Sequence, residues 1–241
     1  MLSQAERNQI IDLINREVVP AIGCTEPIAV ALCTARAAET LGGEPEKITV
    51  RLSANILKNA MGVGIPGTGM IGLPIAVALG AQIGRSECGL EVLRDVTPEA
   101  VARARDYLAA DAVSVALKEG ISETLYVEVH CTAGGRRAEA VIAGSHTRFV
   151  YLACDGEVVL DRRMGASSRE EEPCVPLTLR RVFDYALTAP IDELAFIDEA
   201  RRLNMAAAEL ALGGEYGHSL GRTLRGRREL HVMGDSLFSR M

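Results

Sequence analysis

The residue with the clearest chemical potential is a cysteine at the predicted start of a helix. Cys24 lies in the stretch GCTEP (23–27), and the residues that follow it are strongly helix-forming. Thr25 is predicted to cap this helix, and Glu26 and Pro27 suit its first turn. A thiol at that position would face unpaired backbone N–H groups and the positive end of the helix dipole. Both favour the thiolate, which attacks electrophiles or binds metals. The alternative is a small buried residue at a packed turn.

A glycine-rich turn is the second candidate. Gly62-x-Gly64-x-x-Gly67 matches the dinucleotide-binding fingerprint literally. However, the turn does not directly follow the predicted strand, Pro66 interrupts it, and no clear βαβ unit follows. It is not a P-loop either, because no Lys-Ser/Thr pair follows the glycines. We therefore expect a backbone turn in which Gly67 and Thr68 hold a small anion such as a carboxylate, with a purely structural tight turn as the alternative.

Polar side chains precede this turn. Asn55, Lys58 and Asn59 would suit the α-carboxylate of a substrate, and Lys58 could instead carry a proton. His146, between two predicted strands, is a candidate catalytic or ligand residue, and His218 is a weaker one of the same kind. The alternative is that all five are ordinary polar residues of exposed loops and turns.

The cysteine spacing does not complete a metal centre. Cys33 follows Cys24 by nine residues and would face the other side of the helix, since each residue turns the chain by about 100°. The remaining cysteines, at positions 88, 131, 154 and 174, have no ligand spacing. One cysteine cannot hold zinc or an iron–sulfur cluster, so these residues predict at most a partial site.

The predicted elements that would position these residues give an α+β fold. Ser3 and Glu6 form a capping box for a first helix, which pairs with the Cys24 helix. Period-two patterns then predict a lobe with a mixed or antiparallel sheet, whose hairpins turn at Gly134-Gly135 and Asp155-Gly156. Predicted strands are 47–53, 112–118, 125–132, 137–145, 148–153 and 157–162, and predicted helices after the first two are 73–83, a helix capped by Thr97, 177–188 and 191–212.

We accordingly predict four segments. Residues 1–45 form the N-terminal helices with Cys24, and 46–163 form the α/β lobe. Residues 164–176 have linker composition, and 177–241 begin a helical catalytic domain that stops short. The apolar faces of these late helices predict that a missing segment or another chain covers them.

Composition excludes several classes of function. The 241 residues carry a net charge of −6, which gives no general attraction to nucleic acid or anionic membranes. The cluster at Arg222, Arg225, Arg227 and Arg228 is interpreted as a solvated or intersubunit face. The charged N-terminal stretch lacks a secretory apolar run, and no window reaches the length of a membrane span. With reduced thiols as the default, we expect a cytoplasmic protein.

These motifs together resemble the L-cysteine desulfidase/L-serine dehydratase α-like family. The resemblance rests on GCTEPIAVAL, SxNxxKN at 53–59, GVGIPGTGMIGLPIAVALG at 62–80, AGSHT at 143–147 and LNMAAAELAL at 203–212. It implies a lyase that uses a [4Fe–4S] cluster as a Lewis acid to convert L-cysteine or L-serine to pyruvate and ammonia, with sulfide or water as the other product. Cys24 would then be a cluster ligand, and Asn55, Lys58, Asn59 and the 62–69 turn a wall beside the amino-acid substrate.

The resemblance also implies that the chain is incomplete. Members of this family are about twice as long, and their second half supplies the remaining cluster cysteines. The chain alone is therefore expected to lack the cluster and activity, and to need a C-terminal half or partner subunit, within a homo-oligomer. The alternative is a non-catalytic module that binds an amino acid or carboxylate and pairs with another chain.

Overall fold

The computed structural model describes residues 2–163, 177–215 and 219–226, which form an α+β fold. The chain divides into two compact units, one made of residues 1–18 and 173–241 and the other of residues 19–172. The predicted bounds at 45, 163 and 176 differ from this division and stay a prediction. The predicted linker 164–176, His218, Cys174, Arg227 and Arg228 lie outside the described residues.

The unit of residues 19–172 carries a six-stranded mixed sheet. Four of its five strand pairings are antiparallel, and one parallel pairing joins β1 (Lys47–Leu52) to β4 (Val113–Leu117), in the order β4-β1-β5-β6-β7-β8. The strands confirm the period-two patterns to within two residues at each end. They are β1 Lys47–Leu52, β4 Val113–Leu117, β5 Tyr126–Ala133, β6 Arg136–Ala143, β7 Phe149–Cys154 and β8 Glu157–Asp161.

Helices cover one face of this sheet. Helix α2 packs on β5, β6 and β7, and α4 packs on α2, β4 and α5. The helices of this unit are α2 Thr25–Leu41, α3 Ala54–Ala60, α4 Leu73–Ile83 and α5 Pro98–Ala109, with a short 3-10 segment Ser86–Glu91. Alternate strand residues such as Val127, Val129 and Cys131 are fully buried beneath them. The core therefore lies between the sheet and α2 and α4.

Small residues allow α2 and α4 to approach closely. Gly80 of α4 lies directly against the backbone of α2, because a Cβ added to it would come within 2.5 Å of the Ala31 carbonyl oxygen. The thiol of Cys33, on another side of α2, lies 3.4 Å from the carbonyl oxygen of Ala140 on β6. Helix α2 is thus held against a helix and against the sheet.

The unit of residues 1–18 and 173–241 is helical. Its helices are α1 Gln4–Glu17, α6 Leu179–Thr188, α7 Ala195–Gly213 and α8 Leu220–Gly226, with a 3-10 segment Ile191–Leu194 before α7. The capping box of Ser3 and Glu6 is confirmed, with the Ser3 N–H donating to Glu6 Oε2 at 2.9 Å. Ile10 and Tyr185 form a small buried centre. Among the described residues, no helix is long and apolar enough to span a bilayer.

Candidate functional site

The direction of α2 places Cys24 at one edge of the sheet. The cap after its last turn, Gly42, lies beside Arg136 at the β5–β6 hairpin, whereas Cys33 lies against Val127 and Ala140 near the other ends of these strands. A further nine residues towards the N-terminus extend the helix by about 13 Å. Cys24 therefore lies beyond the edge at which β5 begins and β6 ends.

Helix α3 begins at the same edge. Ser53 caps it, with the Ser53 N–H donating to the Tyr126 carbonyl at 3.0 Å and its hydroxyl to the Thr124 carbonyl at 2.8 Å. The loop with His146 also lies here, because the Gly144 N–H donates to the Leu125 carbonyl at 3.1 Å. The topology thus brings the elements that carry Cys24, Asn55, Lys58, Asn59 and His146 to one end of the sheet.

Two contacts tie the Cys24 turn to the other motifs. A Cβ added to Gly23 would lie 2.9 Å from Pro66 Cγ, so the Cys24 turn touches the 62–69 turn. The Asn59 side-chain amide donates to Glu26 Oε1 at 3.3 Å, which joins α3 to the first turn of α2. We call this region, residues 23–27 with α3 and the 62–69 turn, the Cys24 edge.

The prediction that Thr25 caps α2 is wrong. Cys24 itself occupies the N-cap position and makes no side-chain capping bond, while the Thr25 hydroxyl donates to Glu26 Oε2 at 3.4 Å. A thiol is a weak acceptor, so the N–H groups of the first turn keep their capacity to bind an acceptor. Cys24 is exposed and forms no disulfide among the described cysteines.

The 62–69 turn is the start of a short hairpin, β2 Gly64–Ile65 with β3 Met70–Ile71. Gly67 has φ +74° and packs on Val96, a conformation that favours glycine. Thr68 is buried, and its hydroxyl donates to the Ile65 carbonyl at 2.7 Å and accepts from the Met70 N–H at 2.9 Å. The side chain of Thr68 therefore serves the turn itself.

The candidate polar residues on α3 differ in how they are engaged. Asn59 is half-buried and bound to Glu26, so it positions the start of α2. Asn55 and Lys58 are exposed, and within the described ranges their side chains make no hydrogen bond or ion pair. Those two side chains are available to a ligand.

A second polar region lies on the face of the sheet opposite α2. Glu128 on β5 is buried, with 6% of its side chain exposed, and accepts from Tyr126 at 2.6 Å and Lys118 at 2.7 Å. Its other oxygen, Oε1, lies 2.9 Å from His130 Nε2 and 3.4 Å from Arg51. His130 in turn lies opposite Glu139 of β6. We call these six residues the Glu128 cluster.

These partners keep Glu128 ionised. Burial raises the pKa of its carboxyl group. Hydrogen bonds from His130, Lys118 and Tyr126 lower the pKa by more than burial raises it, so the pKa lies well below its usual range. Burial and the hydrogen bond to Glu128 raise the pKa of Tyr126. The phenol therefore stays protonated and donates to the carboxylate.

The sequence predictions did not include the Glu128 cluster, although a signal for it exists. Tyr126, Glu128 and His130 alternate along a predicted strand and must share a face. The predicted two-residue turn at Gly134-Gly135 then places Glu139 opposite His130, as observed. Arg51 and Lys118 come from strand pairings that no local pattern specifies.

Among the five described cysteines, Cys24 is the exposed one, and Cys88 and Cys154 are partly exposed. Cys33 and Cys131 are buried in the core, where burial raises the pKa of both thiols, to about 12 for Cys131. In the described part of the chain, the one group with metal-ligand spacing is Glu128, His130 and Glu139, which contains no cysteine. Cys24 fits as a single ligand, and the described residues do not complete a cluster site.

The chain is similar over nearly its whole length to longer bacterial proteins. It is 64% identical to a UPF0597 protein of Bacteroides thetaiotaomicron over 236 residues, which make up 98% of this chain and 55% of that protein. A UPF0597 protein of Phocaeicola vulgatus is 56% identical, and the match covers 99% of this chain and 56% of that protein. A UPF0597 protein of Oleidesulfovibrio alaskensis is 45% identical, and the match covers 96% of this chain and 54% of that protein. No family model and no solved structure matches the chain. The chain thus spans about half the length of the curated relatives it matches.

Proposed function

We propose that this chain is one part of an iron–sulfur-dependent lyase that acts on L-cysteine or L-serine in the cytoplasm. The observation that carries the proposal is the convergence at the Cys24 edge. Motif 23–27 is about thirty residues from the neighbouring motifs 53–59 and 62–69 but meets them through the Gly23–Pro66 and Asn59–Glu26 contacts. These are the motifs on which the resemblance to the L-cysteine desulfidase/L-serine dehydratase α-like family rests.

In this proposal Cys24 supplies one cluster ligand, and the remaining ligands come from a second segment or subunit. A bound [4Fe–4S] cluster would supply a Lewis-acidic iron. The exposed amide of Asn55 and the ammonium of Lys58 would hold the substrate carboxylate beside the 62–69 turn. With Lys58 as an ammonium, a ring nitrogen of His146 would take the α-proton before sulfide or water leaves. If Lys58 is instead the base, its uncharged amine would take the proton, and Asn55 with the 62–69 turn would hold the carboxylate. The aminoacrylate would hydrolyse to pyruvate and ammonia.

The helical unit supports the need for a second segment. Along α6, large apolar side chains are at least half exposed: Leu179, Val182, Phe183 and Leu187. Apolar stripes of this kind are usually covered in a complete protein. The curated relatives are nearly twice as long as the matched region, so the proposed covering segment has a counterpart in their additional length.

The test is a chimera in which this chain replaces the segment of the Bacteroides thetaiotaomicron relative that it matches. After anaerobic reconstitution with iron and sulfide, we expect a stoichiometric [4Fe–4S] cluster and release of pyruvate from L-cysteine or L-serine. Cys24→Ala should abolish both cluster and turnover. Cys88→Ala, a partly exposed cysteine in the 3-10 segment, is the matched control and should keep both.

Two results would contradict the proposal. A Cys24→Ala chimera with unchanged cluster content and rate would remove Cys24 from the ligand set. A folded chimera that binds L-serine or L-cysteine without releasing pyruvate would favour the alternative, a non-catalytic amino-acid-binding module.

A further inference from the structure

His130 lies between two carboxylates on neighbouring strands. Its Nε2 is 2.9 Å from Glu128 Oε1, and its Nδ1 is 3.8 Å from Glu139 Oε2. The two contacts differ in kind, because only the first is short enough for a hydrogen bond.

The first contact fixes the tautomer of the ring. Glu128 already accepts hydrogen bonds from Tyr126 and Lys118, and its Oε1 lies 2.9 Å from His130 Nε2, so Oε1 is the acceptor and the proton of a neutral imidazole lies on Nε2. This leaves the lone pair of Nδ1 directed towards the Glu139 side. A carboxylate that holds the far nitrogen of a histidine is the usual outer partner of a metal-binding imidazole.

The second contact is too long for a hydrogen bond but fits a bridging cation. Metal bonds to imidazole nitrogen and carboxylate oxygen are each about 2.0–2.2 Å, so an ion between them separates the two ligand atoms by roughly 3.4–4.2 Å. The charge of Glu128 is already balanced by Lys118 and Arg51. Within the described residues Glu139 has no hydrogen bond, and His130 is its one ion-pair partner.

Space is available beside these two ligands. A cleft of about 340 Å³ is lined by His130, Glu139, Thr132, Arg137, Tyr151 and Asp155. It has room for water on an ion held by two protein ligands, which leaves coordination positions open to a small anionic ligand.

We propose that His130 Nδ1 and the Glu139 carboxylate bind a divalent transition-metal ion such as Zn²⁺ in this cleft, with Glu128 as the positioning residue. The site lies on the opposite face of the sheet from α2 and does not depend on the proposed lyase activity. Its remaining positions are filled by water or by an anion that enters the cleft.

The experiment is titration of the metal-free chain with Co²⁺, followed by absorption and calorimetry, with Zn²⁺ as competitor. We expect one Co²⁺ per chain with a spectrum of nitrogen and oxygen ligands and no thiolate charge-transfer bands. His130→Ala and Glu139→Gln should each weaken binding by at least about tenfold. His146→Ala, a partly exposed histidine in a loop, is the matched control and should bind as the wild type does.

The positioning role of Glu128 needs a measurement that a general loss of structure would not change. Nitrogen NMR of the His130 ring should show the Nε2-protonated tautomer in the metal-free wild type. In Glu128→Gln this preference should weaken, and Co²⁺ affinity should fall by about tenfold, while circular dichroism stays native.

The proposal is overturned if Co²⁺ binds His130→Ala and Glu139→Gln as tightly as the wild type. It is also overturned if the folded wild type shows no saturable binding, or if thiolate bands dominate the spectrum. The Glu139 side chain is partly exposed, so Glu139→Gln should fold. It therefore serves as the test variant if His130→Ala is unstable.

Discussion

The Cys24 edge and the Glu128 cluster belong to the same compact unit but differ in how many of their polar groups have hydrogen-bond partners. Four partners surround the buried Glu128 carboxylate within 3.4 Å. At the Cys24 edge the thiol is exposed and caps nothing, and Asn55 and Lys58 have no partner within the described residues. A buried charge must be satisfied by the fold itself, whereas exposed groups on packed elements remain free to bind a ligand.

The largest effect is expected from the packing of α2 against α4, which supports the Cys24 edge. Gly80→Ala would place a methyl group within 2.5 Å of the Ala31 carbonyl, and backbone cannot move aside as a flexible side chain can. We expect a loss of about 3 kcal/mol in the free energy of unfolding, measured in urea. If the Cys24 edge depends on helix packing, this loss of stability should exceed the loss caused by any polar substitution at the Cys24 edge.

Gly43→Ala is the control for this substitution. No atom lies within 4 Å of the added methyl group at Gly43. Its stability should stay within about 0.5 kcal/mol of the wild type. Equal losses in the two variants would show that the α2–α4 contact is not tight.

The next effect concerns the charge of Glu128. Glu128→Gln should cost about 2 kcal/mol at neutral pH, because hydrogen bonds to a buried charged group are lost. The folded pKa lies below the value of about 4.3 in an unfolded chain, so the carboxylate stabilises the fold fully above that value. This contribution is lost as the pH falls through the folded pKa.

Urea unfolding at a series of pH values measures this dependence. The difference between wild type and Glu128→Gln should be constant above about pH 6 and shrink below about pH 4. Glu157→Gln, an exposed carboxylate on β8, should differ little from wild type at any pH. A difference that grows on acidification would contradict the sign of the pKa shift.

The smallest effect is expected within the Cys24 edge itself. Asn59→Ala removes the hydrogen bond to Glu26 and should cost about 1 kcal/mol. Asn55→Ala, one helical turn earlier and exposed, should change the free energy of unfolding by less than about 0.5 kcal/mol. If Asn55→Ala were the more costly change, Asn55 would be a structural residue and not one available to a ligand.

Local signals in the sequence predicted most of the fold. Alternating patterns give the strands, and the turns at Gly134-Gly135 and Asp155-Gly156 give the antiparallel pairings of β5 with β6 and of β7 with β8, because a two-residue turn specifies which strands pair. The parallel pairing of β1 with β4 was not specified, since it joins segments more than fifty residues apart. The meeting of Cys24 with α3 and the 62–69 turn depends on the Gly23–Pro66 and Asn59–Glu26 contacts, which no local pattern specifies.

The prediction at Thr25 failed for a local reason. Threonine is a better cap than cysteine by side-chain chemistry, but the helix begins one residue earlier than this rule places it. Glu26 then accepts from the Thr25 hydroxyl and from Asn59, so the threonine contributes to the link between α2 and α3.

Helix α2 also limits where this chain tolerates insertions and deletions. Cys33 is held against the sheet and Gly42 lies beside the β5–β6 hairpin, so the C-terminal half of the helix cannot slide. One residue inserted between Cys24 and Cys33 would advance the thiol by about 1.5 Å and turn it by about 100°. The distance from the hairpin to the thiol is therefore set by a fixed number of residues.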